Sequence, residues 1–165
     1  MFKDNRSGKI ALVAHCILNQ NSRVFGLAEK SSAITEIVDF LIGKNLGIIQ
    51  LPCPELTYAG ISRPPQTKEQ YSTATFRKHC KKIAEDIAKQ IQEYETCGVR
   101  LKLVIGVAGS PSCNVADDLN AKDSGIFMEE LQHALGEREI SAPFYGARCN
   151  RLLEDLVELE KIVKD

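Results

Sequence analysis

The chain has 165 residues, of which 44% are hydrophobic and 26% charged, a size and composition that suit one domain with one core and exclude a disordered or fibrous chain. Lys plus Arg number 21 against 22 Asp plus Glu, so the net charge of −1 excludes the basic footprint of a non-specific nucleic-acid or membrane binder. No apolar run reaches the ~18 residues of a membrane span, and the start Met1-Phe2-Lys3-Asp4-Asn5-Arg6 lacks the apolar stretch of a secretory signal. The expected location is the cytoplasm.

In chain order, two patterns alternate. The run Lys9–Ala14 reads as a first strand, and Ala33–Ile42 follows it with Ile34, Ile37, Val38 and Leu41 on one helical face. Leu46–Leu51 reads as a second strand. A long helix is predicted from about Thr67 to Tyr94, with the stripe Phe76, Cys80, Ile83, Ala84, Ile87, Ala88 and Ile91. Thr67 and Gln70 fit a capping box at its start, and Gly98 fits its stop. Leu101–Val107 reads as the third strand. Ile126, Phe127, Leu131 and Leu135 mark the next helix, ending at Gly136. Ile140–Tyr145 reads as the fourth strand, and Leu152, Leu153, Leu156, Leu159, Ile162 and Val163 mark the last helix.

Strand and helix alternating four times predict a single α/β domain over residues 1–165. The strands are nearly continuous in apolar residues, as strands covered on both faces are. The expected architecture is a three-layer, flavodoxin- or Rossmann-like sandwich around a four-stranded, mostly parallel sheet in the order 2-1-3-4.

Six cysteines in a reducing compartment point to metal binding, catalysis or burial rather than disulfides. No Cys-x-x-Cys pair occurs, so any metal site draws its ligands from distant segments. Cys16, Cys53, Cys113 and Cys149 each fall just after a predicted strand end. That is where open α/β sheets bind ligands. Pro52 and Pro54 flank Cys53, and Pro111 precedes Cys113 by two residues, so these loops are stiff. Thiolates from three such loops suit one face of a 4Fe-4S cluster with its fourth iron open. The plainer alternative is that a free cysteine only packs. Cys80 lies on the helix stripe and reads as core. Cys97 reads as a helix-end residue, and His79 and His133 as surface or boundary positions. His15 adjoins Cys16, and a satisfied strand-end histidine explains it as well as a role behind the site.

The order of motifs resembles the thiouracil desulfurase family, small α/β proteins that carry an iron–sulfur cluster. The likeness rests on Cys16, on Cys53-Pro54-Glu55 with Gly60, Arg63 and Pro64 downstream, and on Ser110-Pro111-Ser112-Cys113. It spans roughly residues 8 to 115. The chain departs from the family pattern after Cys16, where it reads Leu18-Asn19-Gln20-Asn21-Ser22-Arg23, and at Asn114, where glycine is usual. It therefore resembles a divergent desulfidase branch.

The resemblance implies a 4Fe-4S cluster held by Cys16, Cys53 and Cys113, with one iron left to bind the sulfur of a small thiolated substrate such as 2-thiouracil. It implies redox-neutral hydrolysis of a thiocarbonyl. Such chemistry needs an acid–base group beside the open iron. Glu55 is the candidate, with Ser110 as second catalytic residue. Asn19, Arg23, Arg63 and Ser112 are the candidate substrate contacts. Each also has a plain local reading. Glu55 caps its loop, Arg63 is a turn residue before Pro64-Pro65, and Asn19, Asn21 and Asn114 form turns. Asp117 and Asp118 read as the acidic first turn of a short helix or as groups facing the site. Cys149 is not expected as a fourth ligand. The expected partner is a small molecule rather than nucleic acid or membrane, and the expected state is monomer or homodimer. Two other functions compete: a non-catalytic cluster or metal carrier, and a hydrolase with one cysteine nucleophile.

Overall fold

A computed structural model describes residues 1–116 and 123–164. The readings placed on Asp117 and Asp118 lie outside these residues. The elements run β1 (Lys9–Ala14), α1 (His15–Leu18), a 3-10 turn (Gln20–Ser22), α2 (Thr35–Gly43), β2 (Gly47–Leu51), α3 (Pro54–Ala59) and α4 (Lys68–Tyr71). They continue with α5 (Ala74–Thr96), β3 (Arg100–Val107), α6 (Ile126–Gly136), β4 (Phe144–Ala147) and α7 (Leu152–Ile162).

The sheet is parallel throughout, in the order β2-β1-β3-β4. This is the expected α/β architecture and strand order. The two inner strands are buried along almost their whole length, which is why their sequences are continuous in Val, Leu, Ile and Ala. α5 packs along α6, and α2 contacts α7. The chain moves one way from β1 to β2 and the other way from β3 to β4. Right-handed crossovers therefore place these helix pairs on opposite faces. Between β1 and β3 the winding reverses. The crevice outside their carboxyl ends is the sheet's switch point, where doubly wound proteins bind ligands.

Three differences from the sequence reading have local causes. The long predicted helix is two. α4 carries the Thr67–Gln70 capping box, the chain breaks at Ser72, and Thr73 caps α5 by accepting from Phe76 N at 3.2 Å. The fourth strand starts later than predicted, at Phe144, because Pro143 has no N–H for a ladder. The residues before it still pack: Ile140 N closes α6 on Leu135 O at 3.0 Å, and Ile140 lies against the core. The short helices α1 and α3, at the ends of β1 and β2, had no apolar period to reveal them. Among the described residues no helix is long and apolar enough to cross a membrane.

Candidate functional site

Cys16 is the second residue of α1, directly beyond β1. The buried side chain of Gln20 fixes it from behind. Gln20 Nε2 donates to Cys16 O at 2.6 Å, and its Oε1 accepts from Glu29 N at 2.8 Å and Lys30 N at 3.2 Å. One glutamine thus straps the loop around Glu29 to the Cys16 turn.

Cys53 is the N-cap of α3, with Pro54 in the first helical position, where a missing N–H costs nothing. Its Sγ accepts from Leu56 N at 3.4 Å. The cap sets the thiol direction, and Pro54 fixes the backbone after it.

Cys113 sits in the tight loop after β3. Ser110 Oγ accepts from Cys113 N at 3.0 Å, and Cys113 O accepts from Val107 N at 2.8 Å. The loop folds back so closely that two glycines are obligatory. A Cβ on Gly106 would lie 2.1 Å from Cys113 O, and one on Gly125 would lie 2.3 Å from Ser112 O.

The three thiols line one cavity of about 240 Å³, together with Arg23, Glu55, Arg63, Ser110 and Ser112. They also feel one another. Burial is the main cause that pushes the Cys16 thiol up to about 12, and the neighbouring Cys53 and Cys149 add to it against the lowering effect of Arg23. Burial likewise raises Cys53, and raises Cys113 well above the ordinary thiol range with help from Cys16 and Cys53. Without a metal all three are neutral thiols. Among the described residues no three Cys, His, Asp or Glu side chains crowd onto a single-ion position. The three cysteines line the one cavity from three separate segments.

Beside the thiols lies a buried polar line. Glu55, two residues after Cys53, is 7% exposed. Ser112 Oγ donates to Glu55 Oε2 at 2.5 Å, and Ser110 Oγ lies 3.3 Å from Ser112 Oγ. Arg63, 6% exposed, donates from Nε to Glu55 Oε1 at 3.4 Å, from Nη1 to Gly60 O at 3.1 Å and from Nη2 to Ser22 O at 2.9 Å. Arg63 therefore joins the Cys53 segment to the Cys16 segment, with most of its donors engaged by protein.

The remaining candidates divide. Arg23 lines the cavity and lies against Cys16. Asn19 is exposed and outside the cavity lining; its Oδ1 caps the 3-10 turn by accepting from Asn21 N at 3.1 Å. Asn114 likewise serves its loop, accepting from Gly109 N at 2.8 Å. Cys149 lines a separate, smaller cavity that shares Arg23, Val107 and Ala108 with the first. Cys80 is fully buried on α5, and Cys97 is the exposed C-cap of that helix. His79 donates to or accepts from Thr57 Oγ1 at 2.8 Å, outside the site. A larger open cleft of about 800 Å³ beside β4 contains no cysteine, so volume does not locate the chemistry.

Fold and cavity together define a parallel α/β protein with a three-thiol pocket at the switch point of its sheet. The chain belongs to the family described as "Putative 2-thiouracil desulfurase", whose model matches residues 8–133. A curated relative, described as uncharacterized protein MJ0003 of Methanocaldococcus jannaschii, is 47% identical over 123 residues, which cover 74% of this chain and 75% of the relative. No solved structure matches the chain significantly. The family description is that of sulfur-removing enzymes.

Proposed function

We propose that the protein is a desulfidase that converts a small thiocarbonyl compound, of the 2-thiouracil kind, to its oxo form with water and releases sulfide. The observation that carries this reading is the meeting of three strand-end thiols around one cavity, with a buried carboxylate–serine line beside them.

The donor set suits an iron–sulfur cluster. Thiolates are the soft ligands such clusters take, and three cysteines line this one cavity. Cys16, Cys53 and Cys113 would hold it. Bound there, a 4Fe-4S cluster would supply Lewis acidity toward the thiocarbonyl sulfur.

The chain's own residues handle the rest. Overall, thiocarbonyl plus water gives carbonyl plus hydrogen sulfide, with no change in oxidation state. The attacking water loses a proton as the C–O bond forms. Ser110, at the cavity wall, passes it to Ser112, and Ser112 to Glu55 Oε2, to which it already donates at 2.5 Å. As the C–S bond breaks, the added hydroxyl gives up its remaining proton and becomes the carbonyl, and the same line carries the two protons, one at a time, to the departing sulfide, which leaves as hydrogen sulfide. Arg63 holds Glu55 in place from its other oxygen. Arg23 orients the substrate at the wall.

Two features favour this reading over a cysteine-nucleophile hydrolase. The cavity thiols are raised, not lowered, and no histidine lines the cavity to activate one. A carrier would not require the buried Glu55–Ser112 contact. The deciding experiment uses protein purified and reconstituted without oxygen with ferrous iron and sulfide. It should convert 2-thiouracil to uracil, release one sulfide per turnover without an electron donor, and carry oxygen-18 from labelled water into the product. A stable cluster with no conversion of any thiolated pyrimidine would remove the desulfidase reading and favour the carrier.

A further inference from the structure

The buried polar line holds one group that the reaction above does not use. Tyr71, the last residue of α4, is 3% exposed, and its hydroxyl has no hydrogen-bond partner at ordinary distance and angle. Native proteins leave few buried hydroxyls unpaired, and each such group calls for a reason. The ring is firmly placed. It packs on Phe76 with centroids 4.6 Å apart at 37°, and the Thr67–Gln70 capping box fixes the turn that carries it. The hydroxyl lies within electrostatic reach of Glu55, Arg63 and Cys53. Burial, then the Glu55 charge, push the phenol up to about 12. At neutral pH it is therefore a donor that keeps its proton.

Glu55 already takes one donor on each oxygen, Ser112 on Oε2 and the long 3.4 Å contact from Arg63 on Oε1. A carboxylate has room for about four donors. We infer that Tyr71 is a positioning residue for Glu55: its hydroxyl donates to the carboxylate and fixes its plane, so that Oε2 stays aimed at Ser112. The role rests on the reading of Glu55 as the proton-transfer group. Tyr71 is not among the residues that line the cavity, so it acts on the reaction through Glu55 rather than by touching the substrate.

Tyr71→Phe keeps the ring and its packing and removes only the hydroxyl. The first measurement is thermal unfolding of the protein without iron, alone and in the Glu55→Gln background. If the hydroxyl bonds to Glu55, Tyr71→Phe lowers Tm by about 2–4 °C, and the fall shrinks by half or more in Glu55→Gln, where a neutral amide replaces the charged acceptor. If Tm is unchanged or rises, or falls equally in both backgrounds, the contact is absent and the inference fails. The second measurement is turnover of 2-thiouracil by reconstituted protein. Tyr71→Phe should lower kcat about tenfold with KM and iron content unchanged, and should add no further loss to Glu55→Gln. Unchanged kcat in an otherwise active enzyme overturns the positioning role. If the wild type itself converts no thiolated substrate, the proposed function fails, and the unfolding measurement still decides whether Tyr71 holds Glu55.

Discussion

Glu55 and Arg63 show how little of a site can be assigned from residue type alone. A glutamate two residues after a cysteine reads equally well as a helix cap or a base. The structure gives its carboxylate a serine donor on one oxygen and a guanidinium on the other, inside the protein. In the proposed reaction it moves the proton of the attacking water, a contribution of about 10²–10⁴-fold. Glu55→Gln keeps the size and most of the hydrogen bonding. It should therefore retain iron and sulfide at wild-type stoichiometry and lose kcat by about that factor, measured by the absorbance change on conversion of 2-thiouracil. Full activity in this variant would move the proton-transfer role to another group, with Ser110 next. Arg63 makes a separate prediction. A lysine keeps the charge but cannot reach Glu55, Gly60 O and Ser22 O from one planar fork. Arg63→Lys should cost about 1–3 kcal/mol through the carbonyls left unpaired. Thermal unfolding of the unloaded protein checks it.

At the scale of elements, the chemistry is carried by what happens just beyond each strand. β1 ends in the one-turn α1, β2 in the Pro54-started α3, and β3 in a loop that returns on itself. The last is the most exacting. Gly106 lets the loop lie against β3, and Gly125 lets it lie against the start of α6. Gly125→Ala puts a methyl carbon 2.3 Å from a backbone oxygen, which no rotamer relieves. It should lower Tm by more than an exposed glycine-to-alanine change such as Gly43→Ala, which meets nothing, and should abolish retention of iron. Equal Tm values for the two would show that the loop has slack. These strand ends also mark the limit of what the sequence discloses. Apolar runs located β1 and β3 because those strands are buried, and β2 although, at the sheet edge, it is only partly covered; the cysteines stood out by following them. The short helices α1 and α3 are too brief to show a period. The partners of Gln20 and Arg63 are mostly backbone groups, and a backbone N–H or carbonyl leaves no trace in a residue's identity. Arg63 and Ser112 therefore read as substrate contacts, although much of their bonding capacity faces protein. Asn19 stood in the right motif but faces solvent.

At the scale of the whole molecule, the cysteines divide into those that surround the cavity and those that do not. After anaerobic reconstitution, Cys16→Ala, Cys53→Ala and Cys113→Ala should each lose most iron and acid-labile sulfide, while Cys80→Ala, Cys97→Ala and Cys149→Ala should keep them. Loss in Cys149→Ala equal to the others would mean a fourth thiolate and no open iron for substrate.

The same division has a consequence for stability against pH. Burial raises the thiols of Cys16 and Cys80 to about 12 and also raises Cys53, Cys113 and Cys149. In the unfolded chain a cysteine ionises near pH ~8.5. Below that pH both states hold the proton and the burial of neutral thiols is fully compatible with folding. Above it the unfolded chain releases protons that the folded chain keeps. The unfolded state then binds fewer protons, and stability falls as pH rises. The unloaded protein should thus lose Tm steeply from about pH 9 toward 12, the interval between the unfolded and folded values. Tyr71 and Tyr145, both raised to about 12, add to the loss at the upper end. Metal ligation needs thiolates, so in loaded protein the proposed ligands have already given up their protons. Three of the five raised cysteines then drop out of the alkaline loss, whereas Cys80, Cys149 and the two tyrosines remain in both forms. Thermal unfolding of loaded and unloaded protein from pH 7 to 10.5, without oxygen, should show Tm curves that diverge as pH rises, with the loaded protein falling less. Parallel curves would mean that the cavity thiols keep their protons in the presence of iron and sulfide, and would remove them as ligands.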